Sequence, residues 1–348
     1  MENRYMNYPD WTEALESHYA IKVASGDIHP FGDGHIHQTF LVKSGADAYI
    51  LQAFNKNVFN YPERISHNHE ILLEGINPKD LPFILPLPIP TKTGALLAED
   101  KGSMFRLSPF VAGRCVNEVN DPRQAYLAAE AFAIFIRAAK DLNPQDFQES
   151  IPSFHDLSLR FRQLQEATNH TRRHFDQELR EVVDFYLAQE SLVQEYENWR
   201  KILPLRVTHS DTKINNLIFS ENMDKVRAVI DLDTIMAGYA MYDFGDLVRT
   251  VACTEGESSR NWEKIKVDWE KYQALLNGFL EGGKGLLKEE EIESLPFGGK
   301  MMTCIMGFRF LADYLNGNIY YAIHYERQNL DRAINQMWLL KGLGESNS

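Results

Sequence analysis

At 348 residues the chain exceeds the size at which one hydrophobic core keeps growing, so two packed lobes are expected. A hydrophobic share of 44% with 24% charged residues describes a globular protein, and the net charge of −13 argues against nucleic acid or an anionic membrane surface as partner, because phosphate surfaces select Lys and Arg. The three cysteines, Cys115, Cys253 and Cys304, lie far apart without metal-ligand spacing and read as reduced thiols. The opening Met1-Glu2-Asn3-Arg4-Tyr5 is polar and no apolar run approaches membrane length, so the expectation is a soluble, cytoplasmic protein.

In chain order, Asp10 with Glu13 marks the start of a short helix through Trp11, Ala14, Leu15 and Tyr19. Ile28 to Val42 reads as strand, glycine turn and strand. At its tip Gly32-Asp33-Gly34 lets backbone N–H groups approach an anion, although a plain hairpin turn has the same letters. A third strand is expected over Ala48 to Phe54, and a helix over Arg64 to Leu73. The tract Leu81 to Pro90 carries four prolines and cannot be a central strand, so it reads as a rigid connector. A hairpin over Ala95 to Arg106 follows, and Phe105 to Val111 runs as the last strand into a hinge at 108–112. The expected division is residues 1–110 for the N-terminal lobe and 113–348 for the C-terminal lobe.

Beyond the hinge the pattern turns helical. Asp121-Pro122 starts a helix whose core face is Ala125, Ala129, Phe132, Ile136 and Ala139. Ser158 to Leu203 reads as two antiparallel helices, with His155, His170 and His174 as solvated or capping residues. Strand-like runs at Leu205 to Thr208 and Val226 to Ile230 end in clusters of His, Asp and Asn, and Asn215 to Phe219 folds back on the second run. That hairpin brings His209, Asp211 and Asn216 near Asp231 and Asp233. A further helix is expected over Trp262 to Leu280. If the segment from Gly307 to Tyr320 is helical throughout, Arg309, Asp313 and Tyr320 share one face, where a packing ion pair and a ligand site are both open readings.

The chemistry sits between residues 205 and 246. Asp211 and Asn216 stand five residues apart (216 − 211), with His209 two before the Asp and Asp231 at the next strand end. Such an Asp can accept a hydroxyl proton while oxygen donors at Asn216, Asp231 and Asp233 hold Mg2+ against phosphates. Asp243-Phe244-Gly245 spells the kinase metal motif, but it lies past the Gly238 turn, so the metal is assigned to Asp231.

These residues resemble the aminoglycoside phosphotransferase and choline kinase branch of the protein-kinase fold. The resemblance implies an α+β protein with a five-stranded antiparallel small lobe over a mainly helical large lobe. ATP and Mg2+ would serve as cofactors, with a small molecule as partner and neither nucleic acid nor membrane. Gly32 and Gly34 would cover the phosphates, Pro109 and Val111 would border the adenine, and Asp243 would brace the catalytic loop from behind, with His209 structural. Glu70 occupies the place of the helix glutamate of the fold, and Gln52 that of its strand lysine, where an amide supplies no charge. Lys56 is near in sequence. Blocks at Gly32 to Ile36, Tyr49 to Gln52, Arg206 to Asn216, Ile230 to Met236 and Arg309 to Tyr320 further resemble N-acetylhexosamine 1-kinases, which also carry Gln at the strand position. By that resemblance His35, Asp211, Asn216, Arg309 and Tyr320 contact the sugar, and a carboxylate at Asp313 would join them. Rival readings are a choline, homoserine or aminoglycoside kinase, a nucleotide-binding pseudokinase, and a metal-dependent hydrolase using His209, Asp211, Asp231 and Asp233.

Overall fold

A computed structural model describes residues 11–32, 37–54 and 61–345. The N-terminal lobe starts with α1 (Trp11–Tyr19), whose Trp11, Ala14, Leu15 and Tyr19 pack on the sheet behind it. The sheet consists of β1 (Ile28–Pro30), β2 (Gln38–Ser44), β3 (Asp47–Ala53), β4 (Ala98–Asp100) and β5 (Ser103–Pro109), all antiparallel, in the order β1-β2-β3-β5-β4. Alternate residues Phe40 and Val42, Leu51 and Ala53, Phe105 and Leu107 turn inward to form the lobe's own core. Helix α2 (Pro62–Gly75) lies between β3 and β4, with Pro62 at its first turn.

The prolines of the connector keep Leu81 to Pro90 out of the sheet, as expected. Ile84 nevertheless pairs with the large lobe, its N–H donating to the Arg227 carbonyl at 2.8 Å and its carbonyl accepting from Val229 at 3.1 Å. At the hinge Gly113 has a φ of 154°, and a Cβ there would meet the Phe219 carbonyl at 2.3 Å. Only glycine permits that approach.

The large lobe contains α3 (Pro122–Ala138), α4 (Leu157–His170), α5 (Gln177–Leu187), α6 (Glu190–Ile202), β6 (Arg206–Thr208), β7 (Leu217–Phe219), β8 (Val226–Val229), β9 (Met236–Gly238), α7 (Ala240–Val251), α8 (Trp269–Gly282), α9 (Glu289–Leu315) and α10 (Gln328–Gly344). Asp121, Asp156, Asp176 and Asp268 cap α3, α4, α5 and α8, each accepting from a backbone N–H two or three residues on. Those caps explain two departures from expectation. Residues 157–202 form three helices, because Asp176 starts a new one at Gln177. The helix expected from Trp262 begins only at Trp269, behind Asp268.

Helix α9 ends at Leu315, so the segment through Tyr320 is not one helix and Tyr320 reaches Arg309 by a loop. Two small ladders, β6 with β9 and β7 with β8, hold the catalytic segment over this helical base.

Candidate active site

The loop between β6 and β7 is fixed from below. Asp243, at the start of α7, accepts from the backbone N–H of His209 at 2.9 Å and of Ser210 at 2.8 Å, and Thr212 Oγ1 donates to its carbonyl at 2.6 Å. Asp243 is therefore a brace, fully buried, with its carboxyl pushed up to about 6 by burial that the two N–H bonds only partly offset. Ser210 takes a φ of 64°, a left-handed conformation that kinks the chain and turns Asp211 away from its neighbour. His155 donates Nε2–H to the Ser210 carbonyl at 2.7 Å. It is buried beneath the loop and bonded to the Ser210 carbonyl, where a solvated or capping residue was expected. Burial lowers its pKa to about 4, so the ring is neutral. His209 donates Nε2–H to the Ile230 carbonyl at 2.9 Å, tying the loop to the end of β8.

Asp211 accepts from Asn216 Nδ2 at 2.9 Å and from Lys213 Nζ at 3.0 Å. Burial works to raise its carboxyl, but the Lys213 ammonium, His209 and the Asn216 amide together outweigh that and hold it below the ordinary value. Asn216 Nδ2 also donates to the Asp211 carbonyl at 2.7 Å, which leaves the amide oxygen uncommitted. The Asn216 carbonyl accepts from the Ile230 N–H at 2.9 Å, so the residue preceding Asp231 is hydrogen-bonded to Asn216 itself. Asp231 sits at φ 58°, ψ 57°, strained for a residue with a Cβ. Among the described residues its carboxyl has no hydrogen-bond or ion-pair partner. The surrounding protein, with the like charges of Asp233 and Asp211, pushes that carboxyl up to about 7.

Asp233 does not join this pair. Arg106 Nη1 donates to its Oδ1 at 2.5 Å, His37 Nε2 lies 3.0 Å from its Oδ2, and His69 Nε2 stands 3.8 Å from Oδ1. Although burial acts to raise the group, Arg106 and His37 hold it well below the usual carboxylate range. The expected metal role for Asp233 is corrected on this geometry: both oxygens are committed to small-lobe residues. The same cluster revises the role of Glu70, which is exposed on α2, while its neighbour His69 turns inward and donates to the Leu232 carbonyl at 3.2 Å. Asn68 joins it, donating to the carbonyls of Gln148 and Ile235 at 2.8 and 2.9 Å.

On β3, Gln52 pairs in register with Arg106 of β5. Its Oε1 accepts from Arg106 Nε at 2.9 Å and Nη2 at 2.8 Å. Gly32 has φ 75°, while Gly34, His35 and Lys56 lie outside the described residues. A cavity of about 480 Å3 at the hinge is lined by Pro109 and Val111, with Tyr49, Ile84 and Arg227, and Asp211, Asp231 and Asp233 do not border it.

In the large lobe, Arg309 of α9 is surrounded by rings, with its guanidinium carbon 5.2 Å from Phe154, 5.6 Å from Tyr320 and 5.4 Å from Tyr321. Arg309 Nη2 donates to Tyr320 Oη at 3.4 Å. Asp313 plays no part in that contact. Its Oδ1 accepts from the N–H of Ile319 and Tyr320 at 2.9 and 2.8 Å, and its Oδ2 from Tyr321 N–H at 3.0 Å and Asn329 Nδ2 at 2.9 Å. A carboxylate so saturated has no capacity left for a ligand, so the expected substrate contact at Asp313 is corrected: it folds the loop that presents Tyr320 and Tyr321.

Sequence reasoning passed over Lys213, Arg106, His37, His69 and Phe154. Lys213 was within reach, two residues after Asp211 in a loop too short to separate them. The others come from distant segments and carry no local signal.

A profile described as the phosphotransferase enzyme family matches residues 27–273. The chain is 23% identical over 297 residues to a homoserine kinase of Agrobacterium fabrum, covering 83% of this chain and 82% of that protein. Its fold is similar to that of a spectinomycin phosphotransferase solved with ADP and spectinomycin, at a TM-score of 0.61 and 14% identity over 99% of both chains. It is also similar to a microcompartment-associated aminopropanol kinase, at a TM-score of 0.60 and 14% identity over 93% of this chain and 94% of the other. The two-lobed architecture is thus the protein-kinase-like one of these phosphotransferases, α+β with a small antiparallel lobe and a larger helical one. With a match that spans well over half its length, the chain belongs to the phosphotransferase enzyme family.

Proposed function

We propose that this protein is an ATP- and Mg2+-dependent small-molecule kinase whose acceptor is a sugar hydroxyl, the anomeric hydroxyl of an N-acetylhexosamine being favoured. The observation that carries the acceptor class is Arg309. It has no carboxylate partner among the described residues, and it reaches the catalytic loop through Phe154, whose ring lies 4.3 Å from that of His155 under Ser210. An uncompensated cation at that position disfavours choline-like and aminoglycoside acceptors. A planar donor fork, a phenol and flanking rings suit a neutral, hydroxyl-rich molecule.

The uncommitted oxygens of Asn216 and Asp231 are hard donors on adjoining segments and fit Mg2+. When bound there the ion would neutralise charge on the β- and γ-phosphates. Asp211, kept ionised by Lys213 and oriented by Asn216, accepts a hydrogen bond from the acceptor hydroxyl and takes its proton late, since a loose transition state asks for positioning more than basicity.

The test is ATP consumption by purified protein against a panel of N-acetylhexosamines, other sugars, homoserine, choline and aminoglycosides. Turnover of an N-acetylhexosamine that changes little with salt supports the reading; turnover of a cationic acceptor that falls with salt overturns it. Asp211→Asn is expected to lower turnover by about a thousandfold or more while Mg·ADP affinity holds. A homoserine acceptor is the second reading, because Arg309 could take its carboxylate and the chain is similar to a homoserine kinase. Phosphorylation of homoserine with no sugar turnover decides for it.

A further inference from the structure

We propose that Arg106 of β5 holds the nucleotide phosphates in this protein, standing in for the strand-β3 cation whose place Gln52 occupies. The inference rests on the kinase reading above. The two residues are direct cross-strand partners, so their side chains leave the same face of the sheet. Gln52 has no charge to offer a phosphate. Its amide oxygen instead takes two hydrogen bonds from Arg106, at 2.9 and 2.8 Å, and so fixes the guanidinium at the position a β3 lysine would fill.

Asp233 fixes the other end of the guanidinium at 2.5 Å, and the Phe54 ring lies 5.0 Å from its central carbon. A guanidinium has five N–H donors. The bonds to Gln52 and Asp233 use three, and among the described residues nothing accepts the other two. The cation is placed near the end of β8 by its bond to Asp233, two residues after Asp231. The arrangement also explains why lysine is absent from position 52. An ammonium there would face Arg106 across about 5 Å and repel it. Gln52 and Arg106 thus form an exchanged pair, in which the charge has moved one strand over and the amide has become its brace. Asp233 is the counter-ion that holds the guanidinium in place.

Calorimetric titration of the full-length protein with ADP and, separately, with adenosine, both with Mg2+, tests this. A residue that contacts phosphate changes the ratio of the two affinities; a strut between lobes does not. Arg106→Gln should weaken ADP binding about tenfold or more and leave adenosine binding within about twofold. Gln52→Lys in the Arg106→Gln background should restore much of the lost ADP affinity, since it returns a cation to β3 with its rival removed. Should Arg106→Gln fail to fold, Arg106→Lys keeps the ion pair to Asp233 and loses the fork, and its ADP to adenosine ratio should still fall by about threefold. An unchanged ratio in whichever variant folds overturns the proposal. Failure of the wild type to bind ADP at all overturns the kinase reading, and this inference with it.

Discussion

Asp313 and His155 shape the proposed site through the backbone: each bonds to main-chain groups of a loop. Asp313 satisfies three consecutive backbone N–H groups and a buried amide, so removing its carboxylate releases the loop of Tyr320 and Tyr321 while sparing the nucleotide cleft. Asp313→Ala should raise the acceptor KM about tenfold or more and leave ADP affinity unchanged. Steady-state kinetics in the acceptor, paired with ADP titration, checks it, and an unaltered KM would show the loop to be held by other means. His155 gives a pH signature. Its folded-state pKa of about 4 lies below the ordinary 6.5, so on acidification the unfolded chain binds that proton first. The associated stability is complete above about pH 6.5 and is lost toward pH 4, at about 1.4 kcal/mol per unit. His155→Gln keeps a donor for the Ser210 carbonyl and cannot titrate, so between pH 7 and 5 it should lose about 2 kcal/mol less than the wild type. Urea unfolding at the two pH values measures this; parallel losses would mean that His155 does not stay neutral.

Helices α7 and α9 meet at their backbones. A Cβ on Gly245 would lie 2.2 Å from the Gly298 carbonyl, and one on Gly298 would lie 2.2 Å from the Met241 carbonyl. The glycine of the literal Asp-Phe-Gly string is therefore a packing residue, and the aspartate before it a brace, although the letters suggest a metal motif. This crossing sets how far α7 stands beneath the catalytic loop, because Asp243 is carried on its first turn. Gly245→Ala must push two backbones apart, at a cost of about 3 kcal/mol, and should lower the melting temperature by about 5 °C or more. A thermal melt within a degree of the wild type would mean the helices can slide without strain. The same logic explains the break after Leu315, where Asp313 turns the chain back at Asn316 rather than allowing another helical turn.

At the scale of the molecule, the two lobes are joined by more than the hinge. Arg106 and His37 reach across to Asp233, Asn68 to the carbonyls of Gln148 and Ile235, and Ile84 to both neighbours of Ala228 on β8. The β7–β8 hairpin and the segment after it are thus the surface on which the small lobe rests, and a ligand held between the lobes should stabilise the whole chain. Mg·ADP at about a hundredfold over its dissociation constant should add about 2.7 kcal/mol to the unfolding free energy. EDTA should remove part of that gain in the wild type and none of it in Asp231→Asn. Equal EDTA sensitivity of the two proteins would take Asp231 out of metal binding. No helix among the described residues is long and apolar enough to cross a membrane, in keeping with the dispersed charge of the sequence.

The sequence by itself determined what depends on near neighbours. Alternation gave the small-lobe strands, Asp and Pro marked helix starts, and the strand-like runs around Asp211, Asn216 and Asp231 showed that a hairpin brings these residues together. Local pattern also separated Asp231 from Asp243, because only one lies at the end of β8. What required the tertiary structure was the partner of each charge. Asp233 and Asp313 look like free ligands in the chain, and both are held by groups between six and 196 residues away in sequence. The cation missing from Gln52 is present on the adjacent strand, 54 residues later. A carboxylate's role follows from which donors reach it. That is decided by strand register, by the approach of two helix backbones and by the closure of one lobe on the other, none of which has a signature in the residues beside it.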